Sequence, residues 1–406
     1  MNVVVALGGA RATSVAAGLE REGVVVPAVI APDAIAAAAA DDMPGDDADL
    51  VVRALVESDA VVLGVSRSSL TASAVALCDR AGARIVPWAT TPEDERLAAS
   101  FGLERPLADG TEPWRIVEVL AEPPRPMAAP LAPEGLGPRT IAVWGAQGSP
   151  GRSTVAVELA VELARGGRHV GLVDADTHAP SIALALGLPD EGPGFAAACR
   201  QAELGGLDVR ELHRISLPLA RTGVDVLTGL NRPSRWPELS DARVGAALEV
   251  CREWADYTVV DVAASLERDE EIVSDLAGPR RNAATLAALR SAELVVAVVR
   301  ADPLGVSRFL RAYPELRATI GSTPVAVVAN SLRPGALGID ARGQIRRTLD
   351  RFGGIEDVWF VPHDLRAVDA ALLAARPVAD VAPRSALTTA VRRFVGDAVV
   401  PVPSRR

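Results

Sequence analysis

Residues 144–154 read Trp-Gly-Ala-Gln-Gly-Ser-Pro-Gly-Arg-Ser-Thr, between an apolar run and a helical pattern extending from about Ser153 to Arg165. Glycines let backbone N–H groups converge on phosphate oxygens, and a helix N-terminus adds the positive end of its dipole. Gly148, Ser149, Pro150, Gly151, Arg152, Ser153 and Thr154 are therefore candidate phosphate-binding residues. Within this set Ser153 is placed to ligate Mg2+, and Thr154 to reach a nearer phosphate. Two further apolar runs end in carboxylates: Val170–Val173 in Asp174-Ala175-Asp176, and Tyr257–Val260 in Asp261. Taken alone, Asp174 and Asp176 read equally as a capping cluster for a helix starting near Ala179-Pro180, and Asp261 as a cap on the next turn. Asn330 ends the apolar run Val325–Ala329 and would serve equally as a turn residue.

Strands must carry these residues. Apolar stretches at Thr140–Trp144, His169–Val173, Val224–Thr228, Thr258–Asp261, Leu294–Val299 and Val325–Ala329 predict strands with helices between them. Residues 1–120 alternate in the same way. Strands are expected there at Val3–Leu7, Val24–Val29, Ala60–Val65 and Arg84–Pro87. Helices are expected at Ala12–Glu22, Ala48–Glu57, Leu70–Ala81, Glu93–Phe101 and Pro113–Leu120. Buried strands separated by helices imply parallel sheets covered on both faces. Residues 121–139 contain six prolines, which exclude helix and ladder pairing and read as a stiff linker. At 406 residues the chain also exceeds one ordinary core. The expected fold is α/β, with two doubly wound parallel-sheet domains over 1–120 and 140–400.

The loop, the D-x-D at the end of the next strand, the Tyr257–Asp261 strand and the Val325–Asn330 strand follow one another as in deviant-Walker P-loop ATPases of the MinD/ParA family, which the C-terminal region resembles. The resemblance implies ATP and Mg2+ as cofactors and a homodimer closed by nucleotide. Carried over, Asp174 and Asp176 take the positions of the D-x-D, whose second carboxylate helps place the attacking water. Arg152 takes that of the loop lysine, and Asp261 that of the Walker B carboxylate holding Mg2+ through water. Asn330 becomes the adenine reader, and Val361-Pro362-His363-Asp364 the segment closing the pocket, with Pro362 against the nucleotide. Residues 1–120 resemble a response-regulator receiver that lacks its chemistry. The first strand runs out into Leu7-Gly8-Gly9-Ala10 without an acid, the third into Leu63-Gly64-Val65-Ser66, and the chain contains no lysine. Receiver, Pro-rich linker and MinD-like domain together resemble the CpaE/TadZ group, which positions pilus machinery; actinobacterial relatives are called septum-site-determining or chromosome-partitioning proteins.

The loop departs from the family's K-G-G-x-G-K-[ST]-[ST]. Gln147 stands at the signature lysine, which in relatives reaches the partner's nucleotide, and Arg152 at the loop lysine; Ala146 and Ser149 replace glycines. Gln donates hydrogen bonds but cannot offset charge developing on a transferring phosphoryl group, help worth several kcal/mol in catalysis. Arg keeps the charge in a wider, planar fork. The expectation is nucleotide binding with at most weak ATPase activity. Arg232, Arg235, Arg280 and Arg281 are the candidates for a compensating arginine, each read equally well as an exposed residue or partner contact.

Composition narrows the alternatives. The net charge of -10 argues against sequence-specific nucleic-acid binding and so against a ParA-like DNA segregation factor. Residues 1–120 carry nine more acidic than basic residues, an ordinary solvated surface or a docking module for protein partners. Cys78, Cys199 and Cys251 form no metal spacing, which speaks against an iron–sulfur ATPase, and the last tyrosine, Tyr313, precludes a tyrosine-rich kinase tail. The N-terminus goes straight into a strand pattern without a charged n-region, so a cytoplasmic protein is expected, peripheral at the membrane, pole or septum if its partners lie there. Ser385–Ala398 spaces Leu387, Val391, Phe394 and Val395 as one helical face. Packing on its own domain is the leading reading, and a weak membrane contact the alternative. Two functions remain: a nucleotide-switched positioning protein, or a pseudo-ATPase scaffold of the same fold.

Overall fold

The apolar runs become strands in two parallel sheets, one in each of two compact units, Met1–Ala132 and Pro133–Arg406. The computed structural model describes residues 1–40, 42–101, 103–122, 140–148, 150–165, 167–192, 194–219, 222–268, 280–333 and 340–400. Most of the Pro-rich stretch 121–139, and Ser149 of the loop, lie outside these residues.

In the N-terminal unit β1 (Val3–Ala6), β2 (Val29–Ile30), β3 (Ala60–Gly64) and β4 (Arg84–Trp88) pair in parallel in the order β2-β1-β3-β4. These are the first four places of the flavodoxin-like order, and a single parallel bridge, Trp88 to Leu107, stands where a fifth strand would be. Alternation along the strands divides the core: Val4, Ala6, Val61 and Leu63 face one layer, Val3, Val5, Ala60 and Val62 the other. The expected strand Val24–Val29 shrinks to Val29–Ile30 plus an isolated bridge between Asn2 and Val25. Pro27 interrupts it, because proline has no N–H for the ladder. A helix at Ala34–Ala39 was not foreseen; it lies in an alanine run with too little amphipathic contrast to announce itself.

The C-terminal unit contains β5 (Thr140–Trp144), β6 (Val170–Asp174), β7 (Leu217–Pro218), β8 (Val224–Leu227), β9 (Tyr257–Asp261), β10 (Leu294–Arg300), β11 (Val325–Leu332) and β12 (Val358–Pro362). They pair in the order β12-β11-β10-β5-β9-β6-β8-β7, parallel except for the short β7–β8 pair. The α/β fold with parallel sheets is as the sequence led us to expect. From β5 the chain passes through helix Arg152–Ala164 to β6 on one side of the sheet order. From β10, which pairs with β5 on its other edge from β9, it passes through helix Pro303–Ile320 to β11 on the opposite side. Right-handed crossovers therefore place the two helices on opposite faces. Val155, Leu159 and Leu163 share a core with Ile141 and Val143, whereas Phe309 and Leu316 share one with Ala142 and Trp144. The crevice beyond the carboxyl ends of β5 and β10 is thus a topological switch point, where open α/β sheets bind ligands.

The C-terminal helix Ala386–Phe394 buries Leu387, Val391 and Phe394 inside the same unit, as the turn after it does Val395, with Phe394 edge-on to Trp359 of β12 at 5.5 Å between ring centroids. Arg392 reaches Glu162 of helix Arg152–Ala164 at 3.1 Å. The face that a membrane contact would need is therefore occupied by the protein's own core, which corrects that alternative. Among the described residues no helix is long and apolar enough to cross a membrane.

Candidate nucleotide site

The phosphate loop leaves β5 at Gly145, where a Cβ would lie 2.5 Å from the Val298 carbonyl of β10. Only glycine lets the loop pass so close to the neighbouring strand. Gly151 caps helix Arg152–Ala164 at φ +86°, without a side-chain cap. That leaves the first N–H groups of a 13-residue helix free for an anion, beside the positive dipole end.

At the base of the loop Ser153 Oγ donates to Asp261 Oδ2 at 2.5 Å, and Ser181 Oγ donates to Ser153 Oγ at 3.3 Å. Asp261 Oδ1 is buried with no hydrogen-bond partner among the described residues. Asp174 is the register partner of Asp261 across β6 and β9. Two carboxyls side by side in the interior lose water, so both hold protons more tightly than usual. Burial, with Asp176 alongside, pushes Asp174 up to about 7. Burial and the Asp174 charge raise Asp261 well above the usual carboxylate range. An unpartnered buried carboxylate oxygen next to a hydroxyl, with Asp174 alongside, fits a hard divalent cation of the Mg2+ type. The residues present to hold it are Ser153 and Asp261.

Asp174 and Asp176 also perform the capping role that the bare sequence allowed. Asp174 Oδ2 accepts from the Ser181 and Ile182 N–H groups at 2.9 and 3.1 Å, and Asp176 Oδ1 from those of His178 and Ala179 at 2.8 and 3.0 Å. The second Asp176 oxygen faces Arg152, whose Nη2 lies 3.3 Å away, while Arg152 Nη1 donates to the Gly145 carbonyl at 3.2 Å. Arg152 is thus folded back against the base of the loop. Thr154 occupies the first turn of the helix, partly exposed.

Asn330, expected to read the base, donates its Nδ2 to the Pro150 carbonyl at 2.7 Å and so clasps the loop from β11. The pairing of β11 with β12 shifts register between Ala329 and Leu332, and Ser331 adopts φ +58°. Such irregularities redirect side chains beside functional sites. Pro362 lies at the end of β12 and lines a separate groove with Phe360, Arg346 and Arg393. The candidate compensating arginines also sit elsewhere. Arg235 is paired with Glu238 at 2.6 Å, and Arg281 donates to the Pro233 carbonyl at 3.1 Å over the Trp236 ring. Neither they nor Arg232 and Arg280 line the crevice beside the loop. Sequence reasoning missed Arg308, which does line it. No spacing rule links a residue on helix Pro303–Ile320 to a loop some 150 positions earlier; only the strand order does.

Residues 138–219 match the family model described as "ParA: NUBPL iron-transfer P-loop NTPase". An iron-sulfur cluster carrier protein of Pyrococcus horikoshii is 49% identical over 51 residues, 13% of this chain and 17% of that protein. The match to the chloroplastic Fe-S cluster assembly factor HCF101 of Oryza sativa likewise spans only 13% of its length. Antiactivator FleN of Pseudomonas aeruginosa is 25% identical over 259 residues, covering 63% of this chain and 84% of FleN. Among solved structures, a ParA family ATPase of Chlorobium tepidum superposes with a TM-score of 0.53 at 17% identity, over 64% of this chain and 97% of its own. The septum site-determining protein MinD of Pyrococcus horikoshii, complexed with Mg-ADP, superposes at 0.51 and 16% identity, over 64% and 95%. The C-terminal unit therefore has the α/β P-loop fold shared by ParA-family ATPases and MinD, and the family-model match over residues 138–219 includes the loop and the strand that follows it.

Proposed function

We propose that the chain is an ATP-binding, Mg2+-dependent switch protein of the MinD/ParA type, with hydrolysis slow or impaired, acting to position pilus, secretion or division machinery. The observation that carries the nucleotide reading is the Ser153–Asp261 pair, with Asp261 buried and its Oδ1 unpartnered among the described residues, set under an uncapped helix N-terminus after a glycine loop. A divalent cation of the Mg2+ type, when bound, would supply positive charge against the phosphates. Ser153 and Asp261 would hold it, the loop N–H groups would cradle the phosphates, and Asp176 would orient water while keeping Arg152 folded at the loop base. Gln147, exposed and neutral, supplies no charge for phosphoryl transfer, which supports slow turnover.

The N-terminal unit enters the proposal as a degenerate receiver that docks protein partners: buried Leu7 stands at the end of β1 where a receiver would carry its acids. A closed homodimer and a cytoplasmic or peripheral location belong to the same reading. Iron–sulfur carriage, suggested by several relatives' names, is disfavoured because Cys78, Cys199 and Cys251 are all buried, and burial pushes the Cys78 and Cys251 thiols up to about 12.

The test is calorimetry of ATP with Mg2+ on the purified chain and its Ser153→Ala/Asp261→Ala variant, followed by phosphate release. Micromolar binding lost in the variant is expected, with little release. Absence of binding at millimolar ATP would leave a scaffold on a retired nucleotide fold.

A further inference from the structure

Gln147 removes a cation from the loop, and the crevice at the switch point holds another. This cavity of about 200 Å3 has Gln147, Gly148 and Pro150 on one wall and Arg300, Gly305 and Arg308 on the other. Arg300 is committed to Asp302 at 2.7 Å, and Asp302 also caps helix Pro303–Ile320 through the Gly305 N–H at 2.8 Å. Arg308, one turn further along that helix, is exposed and has no ion pair or hydrogen bond among the described residues. Its guanidinium lies over Gly148 of the loop, so close that a Cβ on Gly148 would come within 2.4 Å of Nη1. An unpaired guanidinium resting on backbone at a phosphate cradle is a ready partner for phosphoryl oxygens, which it matches in planar, bidentate geometry.

We propose that Arg308 supplies in cis the positive charge that Gln147 does not, engaging the terminal phosphate oxygens of a nucleoside triphosphate held by the loop; this rests on the nucleotide reading above. The helix bearing Arg308 belongs to the opposite face from helix Arg152–Ala164, so the phosphates are held between the two crossovers. A triphosphate is thereby distinguished from a diphosphate within one subunit, without a residue lent by a partner.

The experiment is calorimetry on the full chain with Mg2+, using a non-hydrolysable ATP analogue and ADP, for the wild type, Arg308→Ala, Arg308→Lys, Arg308→Ala/Gln147→Lys and Ser153→Ala/Asp261→Ala. Losing a charge-assisted contact should weaken the analogue by roughly ten- to a hundredfold in Arg308→Ala, with ADP much less affected. Arg308→Lys and the added Gln147→Lys should each recover part of the loss, with thermal unfolding unchanged because Arg308 is exposed. Arg308→Ala binding the analogue as the wild type does, while Ser153→Ala/Asp261→Ala loses it, would overturn the role of Arg308 and leave the nucleotide site standing. Equal losses of analogue and ADP would overturn the triphosphate preference. A wild type that binds neither nucleotide would overturn both proposals together.

Discussion

Ser153 Oγ donates to Asp261 Oδ2 at 2.5 Å, joining the first turn of helix Arg152–Ala164 to the end of β9. The bond satisfies one Asp261 oxygen and leaves the other buried without a partner among the described residues, although burying a polar oxygen unpaired costs about 1–3 kcal/mol. That oxygen would be satisfied as a ligand of the cation that Ser153 and Asp261 are placed to hold. Asp261→Asn should therefore abolish the increment that Mg2+ adds to ATP affinity, while metal-free binding through the loop N–H groups stays within about threefold of wild type, less than 1 kcal/mol. Titrations with and without Mg2+ read the difference. An undiminished Mg2+ effect in the variant would remove Asp261 from the metal site.

Glu158, on the same helix, accepts from the Val378 and Ala379 N–H groups at 2.6 and 2.9 Å, and burial pushes it from an ordinary 4.5 up to about 7. Below pH 4.5 it is protonated both folded and unfolded. Between there and about 7 only the native state keeps the proton, and above that the native state buries a charge. Stability from this group is thus present in acid and lost as pH rises through 7, by about 3 kcal/mol in all. Glu158→Gln cannot titrate, so its stability relative to wild type should improve between pH 5 and 8 in urea melts. A constant offset from the second N–H facing the amide would leave that slope intact. A flat difference would show that Glu158 is ionised throughout.

The Asn330 clasp on Pro150 predicts a different signature from base reading. If the amide holds the loop, Asn330→Ala should weaken ATP and GTP in parallel, and lower stability by about 1–2 kcal/mol for a lost buried hydrogen bond. A collapse of ATP preference over GTP, with the loop otherwise intact, would instead assign Asn330 to the base.

At Gly151 a side chain meets two obstacles: φ is +86°, and a Cβ would lie 2.4 Å from Asn330 Nδ2. Gly151→Ala should be destabilised by roughly 1–3 kcal/mol and lose nucleotide binding, since the helix start and the Asn330 clasp move together. Denaturant melts paired with calorimetry test this. Retention of full affinity would mean that the loop tolerates a different entry into the helix.

Much of the site was legible because it is local. Three glycines and three hydroxyls within residues 144–154 fix a loop between strand and helix, and carboxylates ending apolar runs must gather at the carboxyl edge of a parallel sheet. Alternating apolar and helical runs likewise fixed the α/β class. Linear order does not specify which strands become neighbours. The pairing of β9 with β6 makes Asp174 and Asp261 neighbours, and the Asp174 charge adds to burial in raising the pKa of Asp261. The register shift in β11 accompanies a contact between Asn330 and a loop 180 residues away. The reversal of strand order at β5 and β10 sets Arg308 over Gly148. Short-range sterics and hydrophobic period are written residue by residue, whereas proximity across the sheet depends on how crossovers pack. The sequence alone therefore determined the glycines and hydroxyls of the loop and its place between strand and helix, and the tertiary structure decided which charges surround it.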